Sequence, residues 1–222
     1  MKAFISWSGG KDASLSLFKA VKEYSLDAKY LLNMISEDGV KSRTHGIKSE
    51  LLVAQSQAMD IQIIQRPAAW DSYEKEFIAV AKTLKDEGIT HGVFGDIDLQ
   101  EHRDWVERVC KIIGIEPVFP IWLGDRQKLI EEFIGAGFVS HIVSVRSDLM
   151  EAEWLGRKID SSFISDLKKY PEIDLCGEKG EFHSFVVDGP VFNKKIVINK
   201  SEITSRENHH FWEINDYEII SK

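Results

Sequence analysis

Cysteine is scarce in this 222-residue chain: Cys110 and Cys176 stand alone, with no Cys-x-x-Cys pair. That excludes a disulfide framework, offers no structural zinc site, and fits a reducing cytoplasmic compartment. No apolar run approaches the length of a membrane span, and the first residues enter a strand-like stretch rather than a signal peptide. Positive charge is not in excess either. With 28 Lys and Arg against 36 Asp and Glu, the formal net charge is −8, which argues against an extended grip on nucleic acid. Internal repeats and low-complexity tracts are missing, so no solenoid and no long flexible linker is expected. These absences describe a cytoplasmic protein with no membrane association. Its 43% hydrophobic content and its length suffice for one large domain or two small ones.

What is present is an alternation of apolar and amphipathic stretches. The pattern predicts strands at Lys2–Trp7, Tyr30–Ile35, Ile61–Gln65, Gly92–Gly95 and Pro117–Phe119. Helices are predicted between them, at Lys11–Tyr24, Ile47–Met59, Ser72–Glu87 and Arg103–Ile113. Short strands separated by helices of this length imply an α/β fold with a doubly wound parallel sheet. Ligands of such sheets sit at the carboxyl ends of the strands. Two turns fall there: Ser8–Asp12 after the first strand and Gly95-Asp96-Ile97-Asp98 after the fourth.

The alternation loosens after about Gly124. A helix at Gln127–Ala136 and a strand at Val139–Val145 are compatible with the same layer. Beyond them come a helical piece at Ser161–Lys169 and a polar, glycine-dense stretch, Asp174–Glu181. Phe182–Val187 and Lys195–Ile198 read as strands paired around the turn signal Asp188-Gly189-Pro190. Strand-like alternation resumes near Ile203 and at Trp212-Glu213-Ile214. The expected division is a sheet domain over 1–124 and a smaller α+β domain over 125–222.

The run Ser8-Gly9-Gly10-Lys11-Asp12 directs backbone N–H groups toward the positive end of a helix dipole, a seat for phosphate. Lys11 adds a mobile point charge, and Asp12 is placed to hold a Mg²⁺ that bridges phosphate oxygens. Adjacent glycines followed at once by lysine exclude the Gly-x-x-x-x-Gly-Lys-Ser/Thr arrangement. The run instead resembles the pyrophosphate loop (PP-loop) of the ATP pyrophosphatases, enzymes that cut ATP between its α- and β-phosphates. That resemblance implies a Rossmann-like ATP-binding domain at 1–124 and AMP transfer onto a substrate oxygen. It implies nucleotide contacts from Ser8, Gly9, Gly10, Lys11, Asp12 and Ser14, from Gly95 and Asp96, and beside Met34 at the exit of the second strand. One departure stands out: the family usually has Ser directly after the Asp, whereas here Ala13 precedes Ser14.

A second stretch, Gly177-Glu178-Lys179-Gly180-Glu181-Phe182-His183-Ser184, leads into a strand and the Asp188-Gly189-Pro190 turn. Together with the first loop, Gly95-Asp96, Arg103–Glu107 and Trp154–Asp160, it is similar to the diphthine–ammonia ligase family. Lys179 and Ser184 stand where Gly and Thr are frequent. The resemblance implies an ATP- and Mg²⁺-dependent ligase that adenylates a carboxylate, that of diphthine on elongation factor 2, and amidates it with free ammonia. It makes 125–222 the substrate domain. Lys11, Asp12, Glu178 and Glu181 are the expected catalytic residues, with Asp12 also the metal ligand. Arg103, Arg157, Gly177, Gly180 and His183 are the expected substrate contacts. A homodimer is compatible with the sequence.

Plainer readings stand beside these. Glu178 and Glu181 would otherwise be solvated charges on a turn, Asp96 and Asp98 helix caps, and Arg157 one half of a salt bridge. Cys176 reads as a buried structural thiol, since no base is paired with it in sequence. Trp7, Trp105 and Trp122 read as core, His209-His210 as exposed, and His45 as a weaker nucleotide-side candidate. Two other functions compete: a PP-loop ligase for a different small-molecule carboxylate, and an ATP-binding regulatory module without turnover. A tRNA thiolase would need cysteine pairs and a basic surface, both missing here.

Overall fold

Ala3, Phe4 and Ile5 are all buried, with no polar residue alternating between them. The reason is position: β1 (Lys2–Ser6) is the middle strand of a sheet and is covered on both faces. In this computed structural model, which describes residues 1–42 and 46–222, that sheet has the order β3-β2-β1-β4-β5 and every pairing is parallel. The remaining strands are β2 (Asp27–Ile35), β3 (Gln62–Pro67), β4 (His91–Val93) and β5 (Glu116–Val118). Helices α1 (Lys11–Lys22), α2 (Ser49–Met59), α3 (Tyr73–Asp86) and α4 (Gln100–Ile113) connect them in turn. The predicted α/β class and all five parallel strands are present. One core cluster holds Phe4 edge-on to both Phe77, at 6.1 Å, and Phe94, at 6.0 Å.

The chain divides into two compact units whose boundary does not follow the sequence. Unit 1 is Met1–Ser8 with Asp12–Leu123; unit 2 is Gly124–Lys222 together with the three loop residues Gly9–Lys11. Unit 2 carries α5 (Arg126–Gly135), α6 (Ser161–Leu167) and a four-stranded antiparallel sheet of order β7-β6-β9-β8. Its strands are β6 (Val139–Arg146), β7 (Phe182–Asp188), β8 (Lys194–Arg206) and β9 (His209–Ser221). Asp125 and Asp160 cap α5 and α6, accepting from the main-chain N–H of Lys128 at 2.9 Å and of Phe163 at 3.0 Å.

Three expectations are corrected here. Val139–Val145 belongs to the antiparallel sheet, where it is a central strand, rather than to the parallel layer. The strand that opens with Phe182 pairs with β6, while the strand after Asp188-Gly189-Pro190 pairs with β9. A local turn signal sets where the chain bends, whereas pairing is decided by which apolar faces meet. Ile203 and Trp212–Ile214 are parts of one long hairpin, β8–β9, closed by the two residues Glu207 and Asn208.

Candidate functional site

Gly9 and Lys11, in the loop after β1, are bonded to residues distant in sequence. Within unit 2, the Gly9 carbonyl accepts from the Val186 N–H at 3.0 Å, and the Lys11 N–H donates to Ser184 Oγ at 3.1 Å. The Lys11 ammonium donates to the Cys176 carbonyl and lies 5.6 Å from the centre of the Phe182 ring. Lys11 is only 5% exposed. The lysine is therefore a fixed charge rather than a sweeping one. One first-turn N–H of α1, expected to face phosphate, is instead given to a serine hydroxyl, in the manner of a side-chain cap.

The segment that supplies Cys176 is itself tightly built. Asp174 accepts from the Cys176 N–H at 2.7 Å through one oxygen and from Arg126 Nε at 2.9 Å through the other. Burial alone would raise the Asp174 carboxyl; the Arg126 guanidinium and the Cys176 N–H outweigh it and hold the group below the usual carboxylate range. Two consecutive turns follow, Gly177 N–H to the Asp174 carbonyl at 2.9 Å and Gly180 N–H to the Gly177 carbonyl at 3.0 Å. Gly177 sits at φ +68°, and a Cβ there would lie 2.8 Å from the Phe182 carbonyl oxygen, so no other residue fits. Glu181 is 1% exposed. Its two oxygens accept from the N–H groups of Asp174, at 2.9 Å, and Lys179, at 3.0 Å. Glu178, by contrast, is half-buried in the turn.

Behind this segment, on β7, burial together with the nearby charges of Lys11 and His209 pushes the His183 imidazole down to about 4. It is neutral at physiological pH and, because its surroundings disfavour the charged ring, a weak base. Arg157 donates to Asp166 and stacks on Trp154 at 4.9 Å, which matches the salt-bridge reading of that residue. The Cys176 thiol is buried and faces the Arg126 carbonyl at 3.4 Å. His209 and His210 are half-buried on β9 rather than exposed.

Unit 1 gathers a second group at the carboxyl edge of the parallel sheet. A Cβ on Gly95 would lie 3.1 Å from the Ala13 nitrogen and 3.1 Å from the Asp12 carbonyl carbon, so the fourth strand's exit is packed onto the first turn of α1. Ser8 and Asp12 are half-buried beside that turn. Ser14 is fully buried, and its hydroxyl has no hydrogen-bond partner among the described residues. Met34, an expected nucleotide contact, is 6% exposed and its side chain is part of the core cluster. Asp96 is bonded to His102 Nδ1. The Arg103 guanidinium lies 4.9 Å from the Phe119 ring centre and 4.6 Å from that of Trp122, with Nε bonded to Glu107 at 2.7 Å. Trp7 is buried, as expected, and bonds Gln55, whereas Trp122 is half-buried and serves as Arg103's platform. His45 lies outside the described residues.

Sequence reasoning missed three members of this arrangement: Arg126, Asp174 and Ser184 as acceptor for Lys11. No local motif marks the first two. Ser184 was legible only as a substitution for Thr, which retains the same hydroxyl.

Among the described residues no three or more His, Cys, Asp and Glu cluster as a metal site, and no helix is long and apolar enough to cross a membrane. Two family models match: the diphthamide synthase N-terminal domain over residues 1–117 and the diphthamide synthase C-terminal domain over 125–220. Relatives named diphthine–ammonia ligase include those of Bos taurus, 28% identical over 135 residues, and Homo sapiens, 27% identical over 153. These alignments take in 59% and 67% of this chain but only 51% and 57% of the relatives. The Danio rerio protein of the same name is 27% identical over 88% of this chain and 85% of its own length. A solved structure described as a predicted subunit of tRNA methyltransferase from Methanocaldococcus jannaschii is 15% identical, with a TM-score of 0.48 over 86% of this chain and 98% of that one.

Proposed function

The chain belongs to the diphthamide synthase family, and from that premise we propose that it is a cytoplasmic, AMP-forming amide ligase. ATP is the energy source, ammonia the nitrogen donor, and the acceptor is the carboxylate of diphthine on elongation factor 2. The observation that carries this reading is the pinned Lys11 at the head of α1, in a loop of PP-loop sequence, within a family whose relatives bear the ligase name.

In the reaction, a carboxylate oxygen attacks the α-phosphorus and the bond to the β-phosphate oxygen breaks, releasing pyrophosphate. Ammonia then attacks the acyl carbon, the bond to the AMP oxygen breaks, and one proton is lost as the amide forms. Lys11 lies at the helix N-terminus, where its fixed charge offsets the negative charge that accumulates on departing pyrophosphate. The Gly9-Gly10 main chain lets phosphate approach without a Cβ in the way. His183 is assigned to the acceptor substrate; neutral at physiological pH, it adds no positive charge beside Lys11. Glu178, on the glycine-dense turn, is the carboxylate assigned to orient ammonia or a cationic part of the acceptor. Arg103, stacked and permanently charged, is assigned to a phosphate or carboxylate.

Mg²⁺ fits this residue set as an ion carried by the nucleotide: Asp12 is a half-buried carboxylate at the first turn of α1, and such ions take one or two protein carboxylates with phosphate oxygens and water completing the shell. Bound there, the ion would neutralise phosphate charge.

The test is to follow AMP and pyrophosphate with ammonium present, with and without elongation factor 2 carrying diphthine. AMP formed only with that partner is the expected result. AMP formed with another carboxylate retains the enzyme class and removes the acceptor; ADP as the released nucleotide removes the class.

A further inference from the structure

The Glu181 carboxylate is turned inward, onto the main chain of its own segment. Its two oxygens accept from Asp174 N–H at 2.9 Å and Lys179 N–H at 3.0 Å, so one side chain closes both ends of the Asp174–Glu181 segment. Only 1% of Glu181 is exposed, so water cannot replace either bond. A buried carboxylate is costly unless such N–H donors satisfy it, and once satisfied these charge-assisted bonds are among the stronger ones in a protein. Inside the segment, the Asp174 carboxylate fixes the Cys176 N–H at 2.7 Å, and the two glycine turns fix the peptides that follow. What emerges at the inner side is the Cys176 carbonyl, and that oxygen receives the Lys11 ammonium. An ammonium has three N–H groups; anchoring one fixes the directions of the others.

We propose that Glu181 is a positioning residue for Lys11. By closing the Asp174–Glu181 segment it orients the Cys176 carbonyl, and that carbonyl aims the lysine charge at the nucleotide phosphates. The second motif thereby serves the phosphate end of the reaction as well as the acceptor end. The phosphate half of this inference rests on the ligase reading above; the structural half does not.

The experiment has two arms. In the first, wild-type protein and Glu181→Gln are treated with an amine-acetylating reagent, and each lysine's modification rate is read by mass spectrometry. Glutamine has nearly the same size but only one acceptor oxygen, so one of the two closing bonds is lost. Loss of a hydrogen bond to a charged group corresponds to roughly 10–100-fold in a local equilibrium, so Lys11 should react at least ~10-fold faster, while exposed Lys169 is unchanged. An unchanged Lys11 rate overturns the proposal. Glu181→Asp keeps both oxygens and should give an intermediate rate; it replaces Gln if that variant does not fold by circular dichroism.

The second arm is a double-mutant cycle on pyrophosphate release, using Lys11→Ala, the Glu181 variant and both together. If Glu181 acts through Lys11, the double variant is no slower than Lys11→Ala alone. Additive losses assign Glu181 an independent role and overturn the proposal. If wild-type protein releases no pyrophosphate with any carboxylate, the ligase reading fails, and the acetylation arm still decides whether Glu181 holds Lys11.

Discussion

Ser184 Oγ accepts the main-chain N–H of Lys11 at 3.1 Å, joining residues 173 positions apart in the chain. The bond is buried, so removing the hydroxyl takes this acceptor from a helix-start N–H where water does not readily replace it. Ser184→Ala should cost about 1–3 kcal/mol and lower the melting temperature by roughly 2–4 °C per kcal/mol in a protein of this size. Ser184→Thr, which keeps the oxygen, should recover most of it. Thermal unfolding of the three proteins is the measurement; equal melting temperatures for wild type and Ala would remove this bond from the account.

Lys11→Ala is expected to slow pyrophosphate release by at least ~10²-fold, the loss typical when one charge-stabilising donor is removed from a reacting centre. Its fold should be retained, since the Lys11 main-chain N–H bond to Ser184 does not involve the side chain. A pyrophosphate-coupled assay beside a circular dichroism spectrum checks both halves.

Gly95→Ala places a methyl group 3.1 Å from two main-chain atoms of Asp12 and Ala13. Backbone gives way less readily than a side-chain tip, so a cost of about 1–3 kcal/mol is expected from overpacking. The displacement falls on the first turn of α1, and ATP affinity should drop more than overall stability would explain. Calorimetric titration with ATP·Mg²⁺, at a temperature where the variant is fully folded, separates the two.

His183 provides a pH test. Its folded imidazole is pushed down to about 4 from an ordinary 6.5, chiefly by burial. Because the unfolded chain binds that proton more readily, the contribution is fully present above pH 6.5 and is lost as pH falls toward about 4. The His183 ring resonances should titrate near pH 4 in the native protein. His183→Gln should remove part of the acid sensitivity between those limits. A titration centred near 6.5 would show that the ring is solvated.

The parallel sheet was legible because its signals are local. Ala3–Ile5 and Gly92–Phe94 are short, continuously apolar runs bounded by polar or glycine-containing turns, and doubly covered strands have that composition. The antiparallel sheet was not legible in its pairing. Asp188-Gly189-Pro190 announces a bend, yet β7 lies against β6, a partner separated by α6 and the glycine-dense segment. The tight turn of the β8–β9 hairpin went unread since Glu207, at φ +53°, occupies a left-handed conformation that usually advertises itself with Gly or Asn. At the site, residue types were readable and directions were not. Lys11 and Glu181 stand out in the sequence, but only geometry reveals that the lysine is anchored and that the glutamate faces main-chain N–H groups.

Gly9, Gly10 and Lys11 lie between β1 and the body of α1 in sequence and yet pack as part of unit 2. A fragment ending at Leu123 would contain every strand of the parallel sheet while leaving these three residues without Cys176, Ser184 and Val186, the groups that orient them. Chimeras that splice the first 123 residues of one relative onto the remainder of another should therefore work only where the incoming half presents a matching carbonyl, hydroxyl and amide. In this protein, the stretch most diagnostic of nucleotide chemistry is inherited from one half of the gene and shaped by the other.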